Sequence, residues 1–236
     1  MTSHEFEGRV AVVTGASSGI GRSTAEMLAA RGALVAIFAR SLPALQAMAK
    51  AHGERMLAVG GDISEPEAVE RLFAETESRF GHCDILINCA GMIDPKPLAD
   101  VTLDDWDRMF AVNVRGTYLA TRRALPAMVA RRGGAIVNVA SISGVLGPEK
   151  FPGFVSYCAS KAAIISMTEA LAVEVKQDGI RVNSVSPGSV DTGMWAAASG
   201  GAPAAMTPDD VAEVICFLAS ERARAVNGQD VHVYSS

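Results

Sequence analysis

Short apolar runs and longer amphipathic stretches alternate along the whole chain. The first run, Arg9–Thr14, is rich in β-branched residues and leads through a glycine cluster into a helical stretch, Gly21–Arg31. The same pairing returns at Leu34–Ala39 and at the helical stretch that follows it, which has Pro43 near its first turn. Further strands are predicted at Arg55–Val59, Asp84–Gly91, Ala135–Val139, Arg181–Val185 and Asp230–Tyr234, and further helices from Ser64 and at Thr102–Arg132, Ser156–Lys176 and Pro208–Ala219.

This alternation predicts a doubly wound α/β fold of the Rossmann type. It requires right-handed crossovers, and we expect about seven parallel strands with helices on both faces. Nothing marks a second core, so residues 1–236 are expected to form a single domain. The small residues of Ala196–Ala205 predict a mobile loop, within a substrate loop at about 190–206.

The composition fits such a fold and narrows the class of ligand. Of the 236 residues, 49% are apolar and 20% are charged, as expected when helices cover both faces of a sheet. The net charge of −5 disfavours attraction to nucleic acid or to an anionic membrane. No apolar run approaches the roughly 20 residues that span a bilayer. We therefore expect a small-molecule partner, with no nucleic acid and no membrane.

The cysteines and the first residues favour a reducing compartment. The cysteines show no paired metal-ligand spacing, so no metal site is expected. The first ten residues, MTSHEFEGRV, lack the basic-then-apolar layout of a secretory signal. We expect reduced thiols and a cytoplasmic protein. The four cysteines are Cys83, Cys89, Cys158 and Cys216.

The first strand ends in a glycine loop, Thr14–Gly21 (TGASSGIG). Glycines there permit left-handed backbone and close approach, so a pyrophosphate can lie on the free N–H groups of the helix N-terminus. Turns of this composition also occur without a ligand. The position after the first strand of a doubly wound sheet is, however, where dinucleotides bind. The loop therefore favours a dinucleotide cofactor.

The end of the second strand bears on the choice between NADP and NAD. An acidic residue about nineteen residues after Gly21 would hold the ribose hydroxyls and repel a 2′-phosphate. This chain has Ala39 and Arg40 at that point, and a guanidinium suits a phosphate. The alternative is that Arg40 is a solvated residue that opens the next helix. We favour NADP (NADPH) over NAD.

A tyrosine and a lysine lie four residues apart on a predicted helix. This spacing puts the Tyr157 phenol and the Lys161 ammonium on one face, where the cation can favour the phenolate. By themselves they would be read as a packing residue and a surface charge. Ser141, however, lies just past the end of the fifth strand, where an open α/β sheet places its ligands.

Together these motifs resemble the short-chain dehydrogenase/reductase family, in its 3-oxoacyl-acyl-carrier-protein-reductase-like branch. The resemblance covers essentially the whole chain, and the ordered set is far more specific than any one motif. It implies an oxidoreductase that moves a hydride between NADP(H) and a ketone/secondary-alcohol pair. The motifs are TGASSGIG, NCAG at Asn88–Gly91, Asn113, Ser141, YCASK and PGSVDT.

The resemblance also implies four catalytic residues. Tyr157 exchanges a proton with the substrate oxygen as general acid/base. Lys161 binds the nicotinamide ribose and lowers the pKa of Tyr157. Ser141 polarises the substrate oxygen, and Asn113 holds a water that links Lys161 to solvent. Ser143 is the alternative serine, but Ser141 fits the family's Ser-x-x-Gly pattern.

A second set of residues is implied around the cofactor. Pro187 and Gly188 by themselves would be better explained as turn residues. Two departures from the family pattern stand out, Cys89 in place of an asparagine and Ser18 where many NADP-preferring relatives carry a basic residue. The set comprises Gly15, Ser17, Ser18, Gly19, Ile20 and Gly21, Arg40, Asp62 and Ile63, Asn88, Ala90 and Gly91, Tyr157 and Lys161, and Pro187, Gly188, Val190 and Thr192.

The substrate is less well specified than the cofactor. Loop residues Met92, Ile93, Met194 and Trp195 suggest a partly apolar pocket for a small ketone, although ordinary loop burial explains them equally well. The insert at Pro148–Gly153 can also shape specificity.

Other readings of the chain stay open. An NAD(H)-preferring alcohol dehydrogenase, a non-catalytic nucleotide-binding regulatory protein, and a lyase or epimerase on the same fold are the alternatives. The resemblance further implies a homo-oligomer, a tetramer or dimer, formed through the helices Thr102–Arg132 and Ser156–Lys176.

Overall fold

One parallel sheet of seven strands forms the centre of the molecule. The computed structural model describes residues 4–148 and 150–234, so Glu149 of the predicted insert lies outside the described residues. The strand order is β3-β2-β1-β4-β5-β6-β7, and every pairing is parallel. The strands are β1 (Val10–Thr14), β2 (Leu34–Ala39), β3 (Met56–Gly60), β4 (Ile85–Asn88), β5 (Gly134–Val139), β6 (Ile180–Pro187) and β7 (Asp230–Val233).

Helices cover both faces of this sheet, as the alternation predicted. Successive side chains of β1 point to opposite faces, and Val12 and Val13 are both fully buried, in different halves of the core. One half lies against α1 and α8, the other against α3, α5 and α6. The helices are α1 (Gly19–Ala30), α2 (Leu42–His52), α3 (Pro66–Phe80), α4 (Leu103–Phe110), α5 (Gly116–Arg131), α6 (Val155–Glu174), α7 (Gly193–Ser199) and α8 (Pro208–Ala219).

Two of the predicted elements differ from the structure. The helix predicted at Thr102–Arg132 is interrupted by a π-helical turn, Ala111–Arg115, because its backbone takes wider turns there before α5 resumes. The loop predicted at Ala196–Ala205 is helical in its first part. Alanines favour the helix α7, which is capped by the Thr192 side chain, accepting a hydrogen bond from the Trp195 N–H, and ends at Gly200 with φ +67°.

The strand order places the predicted site at one edge of the sheet. The order reverses between β1 and β4, and in open α/β sheets the crevice at such a reversal is where ligands bind. Because all strands are parallel, their carboxyl ends meet at this edge. Predicted site residues follow six of them: Gly15 after β1, Arg40 after β2, Asp62 after β3, Ala90 after β4, Ser141 after β5 and Gly188 after β6.

Candidate active site

The glycine loop between β1 and α1 packs tightly against the end of β4. Gly15 has φ +69°, and a Cβ placed on it would lie 2.7 Å from the Cα of Ala90. A Cβ on Gly21 would lie 2.4 Å from the Gly15 carbonyl oxygen. Ser18 caps α1 through its backbone position only, without a side-chain hydrogen bond, so the first N–H groups of α1 are open to an anion. The Ile20 side chain packs on the core, which leaves its backbone for a ligand.

Loops after β4 and β6 close around the same crevice. A Cβ on Gly19, which has φ +54°, would lie 3.0 Å from the Thr192 methyl group, so the β6 loop reaches the glycine loop. The Gly188 N–H donates to the Val233 carbonyl, at 3.0 Å. Val190 is buried in the core beside α8, so its side chain faces away from the crevice.

The charges of two arginines act on the carboxylate of Asp62. Its oxygen accepts hydrogen bonds from the Ser64 N–H at 2.9 Å and from the Ser64 hydroxyl at 2.8 Å. Burial by itself raises the pKa of Asp62, but the Ser64 hydrogen bonds and the charges of Arg40 and Arg115 outweigh it, and the net pKa is lowered. Arg40 is exposed directly after β2, as the sequence predicted. No motif in the sequence pointed to Arg115.

Ile63 is buried rather than presented to the crevice. Its side chain packs in the core, and a Cβ on Gly116 would lie 2.9 Å from it. Only the backbone of Ile63 can therefore contribute to an adenine site.

Ser141 and Tyr157 come together at the end of β5. Ser141 follows β5 by two residues and is 9% exposed; Tyr157 lies on the first turn of α6 and is 8% exposed. Burial raises the pKa of Tyr157 to about 12, while a hydrogen bond with Ser141 acts in the opposite direction. Ser143 instead donates its N–H to the Ser141 hydroxyl, at 3.2 Å. Ser141 is thus the serine beside the phenol.

Lys161 is buried behind Tyr157 and turned toward the sheet. Its Nζ donates to the Val139 carbonyl at 2.8 Å and lies 5.7 Å from the centre of the Tyr157 ring. Burial lowers the pKa of Lys161 to about 8. The expectation that Lys161 lowers the pKa of Tyr157 is not met in this structure. The pKa of the phenol is raised by burial, and Lys161, whose ammonium is bound to the Val139 carbonyl, does not lower it.

Asn113 anchors the loop after β4 to the π-helical turn. Its amide nitrogen donates to the Met92 carbonyl at 3.0 Å and its amide oxygen accepts from the Met92 N–H at 2.8 Å. The same nitrogen contacts the Ser160 hydroxyl at 2.9 Å. A Cβ on Gly91 would lie 3.4 Å from both Asn113 Oδ1 and Lys161 Nζ, so these two groups flank Gly91. The water held by Asn113 stays a prediction.

Asn88 belongs to a buried polar network rather than to the crevice. Its side-chain nitrogen donates to Thr121 at 3.0 Å and to Asn138 at 2.9 Å, and Asn138 donates to Thr168 at 2.9 Å. The network joins β4 and β5 to α5 and α6. Burial thus commits the Asn88 amide nitrogen to partners inside the core, and a contact between Asn88 and the cofactor stays a prediction.

Thr14 and Cys89 are two further residues at this edge of the sheet. The Thr14 hydroxyl accepts the backbone N–H groups of Cys89, at 3.1 Å, and of Ala90, at 3.2 Å, and so orients the start of the loop after β4. Cys89 lies close enough to Lys161 for the ammonium to favour the thiolate, yet burial raises the pKa of Cys89 to about 11. The thiol is therefore neutral at physiological pH.

An apolar cluster packs around Tyr157. Met109, Phe154 and Tyr157 are buried together, and Met92 and Ile93 pack against them. Ala198 of α7 also packs against this cluster, whereas Met194 is 41% exposed. Met92 and Ile93 thus pack against this cluster while Met194 is exposed, and the apolar substrate pocket stays a prediction.

The arrangement carries the features of a nucleotide-dependent oxidoreductase: a glycine loop at a reversal of strand order, and a buried phenol beside a hydroxyl and an ammonium. The family model for short chain dehydrogenases matches residues 9–201. The chain belongs to the short-chain dehydrogenase/reductase family. The match spans β1 through α7, so it contains every predicted site residue.

Named members of this family resemble the chain along most of its length. An uncharacterized oxidoreductase of Staphylococcus saprophyticus is 38% identical over 97% of this chain and 98% of its own. A sorbitol dehydrogenase of Cereibacter sphaeroides is 40% identical over 80% of this chain and 73% of its own. A solved 3-ketoacyl-(acyl-carrier-protein) reductase from Brucella melitensis, complexed with NADH, superposes with a TM-score of 0.89 at 34% identity, covering 97% of both chains.

The short-chain dehydrogenase/reductase chain contains no helix, within residues 4–148 and 150–234, of the length and apolarity needed to cross a bilayer. Its four cysteines are free thiols, of which Cys83 and Cys216 are buried.

Proposed function

We propose that this chain is an NADP(H)-dependent dehydrogenase/reductase that interconverts a ketone and a secondary alcohol, with Tyr157 as the general acid/base. The observation that carries the proposal is the meeting of Tyr157, Ser141 and Lys161 at the carboxyl end of β5, beside the glycine loop. A scaffold that only binds a nucleotide has no need of a buried phenol beside a serine hydroxyl.

The residues of the crevice fit a nicotinamide dinucleotide. Gly15 and Gly21 leave no room for a Cβ, and the open N–H groups of α1 suit a pyrophosphate. Gly91, flanked by Lys161, leaves space beside the ammonium that the nicotinamide ribose would take. A bound nicotinamide nucleotide supplies or accepts the hydride of the reaction.

The chain's own residues handle the substrate oxygen and its proton. In ketone reduction the Ser141 hydroxyl donates a hydrogen bond to the carbonyl oxygen, and Tyr157 gives its phenolic proton to that oxygen as the alcohol forms. In the opposite direction the phenolate accepts the proton. With its pKa raised to about 12, Tyr157 is protonated at neutral pH, which suits it to the role of acid in reduction.

The cofactor preference rests on the basic side chains at the adenosine end. Arg40 is exposed after β2, and the pKa of Asp62 shows that Arg40 and Arg115 both lie near the same carboxylate. Two guanidiniums in this region favour the 2′-phosphate of NADP. The NADH bound to the reductase from Brucella melitensis makes an NAD(H)-preferring dehydrogenase the second candidate.

The chain is also proposed to form dimers or tetramers with copies of itself. Exposed apolar residues on α4, α5 and α6 would be covered in such an assembly: Leu103, Tyr118, Val129, Val155 and Val173.

The test is nucleotide turnover with a panel of ketones, using NADPH and NADH in turn. We expect Tyr157→Phe to lower kcat by about two to four orders of magnitude, because it removes the proton donor and keeps the buried ring. The matched control is Tyr118→Phe, the same change at an exposed tyrosine of α5. Ketone reduction that survives Tyr157→Phe would contradict the mechanism, and product formation without net NADPH change would indicate a lyase or epimerase.

A further inference from the structure

Four aromatic rings run in a row from the catalytic phenol to α7. The Phe154 ring centre lies 6.0 Å from that of Tyr157, at an interplanar angle of 85°. Phe151 follows at 5.5 Å from Phe154 and 49°, and Trp195 at 6.5 Å from Phe151 and 73°. We call Tyr157, Phe154, Phe151 and Trp195 the aromatic row. It joins the insert between β5 and α6 to the helix that follows β6.

Of the two outer rings of the aromatic row, that of Phe151 is exposed and that of Trp195 is half-buried. Phe151 is 49% exposed, whereas Phe154 and Tyr157 are buried. The segment of Phe151 is held at Gly153, whose carbonyl accepts the Lys96 N–H at 3.0 Å and whose φ is +83°. The Phe151 ring therefore presents an exposed apolar face in line with the buried rings, and an aromatic group of a ligand can pack on it.

Trp195 is anchored from both its backbone and its ring. Its N–H donates to the Thr192 hydroxyl at 3.1 Å, and its indole Nε1 donates to the Ala202 carbonyl at 2.8 Å. The polar edge of the indole is thus used within the protein. The apolar face of the indole therefore remains available for contact with Phe151 and with a ligand.

The side chains of the apolar cluster that pack against the buried end of the row carry no charge, while the Lys161 ammonium lies 5.7 Å from the centre of the Tyr157 ring. Met92, Ile93, Cys158 and Ala198 pack against Phe154 and Tyr157. A polyhydroxylated substrate placed here would leave hydroxyl groups without partners, which is unfavourable. A flat apolar group, in contrast, gains edge-to-face contacts with the rings beyond the gain from buried area alone.

We propose that the substrate carries an aryl group next to its carbonyl, and that Phe151 and Trp195 bind this group while Ser141 and Tyr157 hold the oxygen. The inference rests on the proposed function, since it places the substrate at the same phenol. It makes Phe151 and Trp195 the residues that determine specificity.

The experiment compares kcat/KM for acetophenone, butan-2-one and fructose with NADPH and with NADH. For the unaltered chain we expect acetophenone to exceed butan-2-one by about tenfold or more, because an aromatic contact at each outer ring adds a few-fold. Phe151→Leu keeps the apolar volume but removes the ring, and should reduce this ratio about fivefold. Trp195→Phe keeps an aromatic ring and should retain most of the preference for acetophenone over butan-2-one.

The matched control is Phe80→Leu, the same change at a partly exposed ring at the far end of α3. It should leave the acetophenone to butan-2-one ratio unchanged. An equal ratio in the unaltered chain and in Phe151→Leu would overturn the inference, as would a preference for fructose.

Ligand binding gives a second measurement that does not depend on turnover. The chain has two tryptophans, so Trp195 is the only one left in Trp106→Phe. We expect 1-phenylethanol, but not butan-2-ol, to change its fluorescence. If no carbonyl compound is reduced, the proposed function fails, and this arm still decides whether the aromatic row binds an aryl group. If ketones are reduced but the aryl compounds show neither preference nor a fluorescence change, only the present inference fails.

Discussion

Lys161 illustrates how a single buried charge serves the site at a cost to the fold. Its side chain is 5% exposed, its Nζ has a carbonyl partner at 2.8 Å, and burial lowers its pKa to about 8 from the usual 10.5. A basic group whose pKa is depressed in the folded state destabilises that state at pH values where it must carry its charge. The lysine that the proposed mechanism needs therefore lowers the stability of the folded chain.

Replacing this lysine should separate stability from activity. We expect Lys161→Met to abolish most turnover and to raise the free energy of unfolding of the cofactor-free protein by about 2 kcal/mol at neutral pH. Below about pH 8 the folded and unfolded chains both carry the charge, so the cost is fully present. Between about 8 and 10.5 the folded chain releases its proton first, and stability rises with pH.

Urea unfolding at neutral pH and near pH 10 measures this difference. The advantage of Lys161→Met over the unaltered chain should shrink as the pH rises. Lys176→Met, the same change at an exposed lysine, should alter neither stability nor turnover. A variant less stable than the unaltered chain at neutral pH would show that the bond to Val139 outweighs the burial of the charge.

Arg40 is the residue proposed to favour NADPH over NADH. We expect Arg40→Ala to raise the KM for NADPH by about one to two orders of magnitude and that for NADH by less than about threefold, since only NADPH has the 2′-phosphate. Arg115→Ala should have a smaller effect in the same direction. Arg79→Ala, at the far end of α3, serves as the control. Equal effects of Arg40→Ala on both nucleotides would contradict the assignment.

At the scale of elements, the glycine loop and the π-helical turn set the geometry of the crevice. The π-helical turn at Ala111–Arg115 places Asn113 against the backbone of Met92, which fixes the loop after β4. The glycine loop fits against the end of the same strand with no space for a Cβ. The glycine loop and the π-helical turn both depend on contacts between segments that are far apart in the sequence.

Two glycines of the chain allow backbone strain and close packing to be separated. Gly15 and Gly53 have similar φ values, +69° and +61°, but only Gly15 has neighbours within 4 Å of a Cβ. Gly53→Ala should cost about 1 kcal/mol of stability from backbone strain alone. Gly15→Ala should cost more and should also abolish nucleotide binding, because Ala90 lies 2.7 Å from the new Cβ. Thermal unfolding and calorimetric titration with NADPH check this; equal behaviour of the two variants would contradict it.

At the scale of the whole molecule, the exposed apolar residues of α4 to α6 lie on one side of the sheet. Val173 is 78% exposed and Leu103 is 82% exposed. Light scattering should show a dimer or tetramer. Val173→Glu and Leu103→Glu should shift it toward smaller species, because a buried unpaired carboxylate opposes association. Lys50→Glu, on α2 at the opposite face, is the control. A monomer at all concentrations would contradict the proposed assembly.

The sequence predicted the fold from patterns that are local. Each β-branched run became a strand and each amphipathic stretch a helix, with boundaries that moved by a few residues, as in α1, which begins at Gly19 rather than Gly21. The location of the candidate site could also be predicted, because parallel strands bring their carboxyl ends to one edge of the sheet. The sequence did not predict the buried network around Asn88. The partners of its amide nitrogen, Thr121 and Asn138, are visible only after folding.

What the sequence by itself determined is the order of elements, the family and the identity of the groups that can exchange a proton. The tertiary structure decided their environment: the raised pKa of Tyr157, the lowered pKa of Lys161, the position of Arg115 near Asp62, and the aromatic row from Tyr157 to Trp195. The physical reason is the separation along the sequence over which each effect acts. Periodicity and turn chemistry act over a few neighbouring residues, whereas burial, charge and ring contacts depend on segments that meet only in the folded chain.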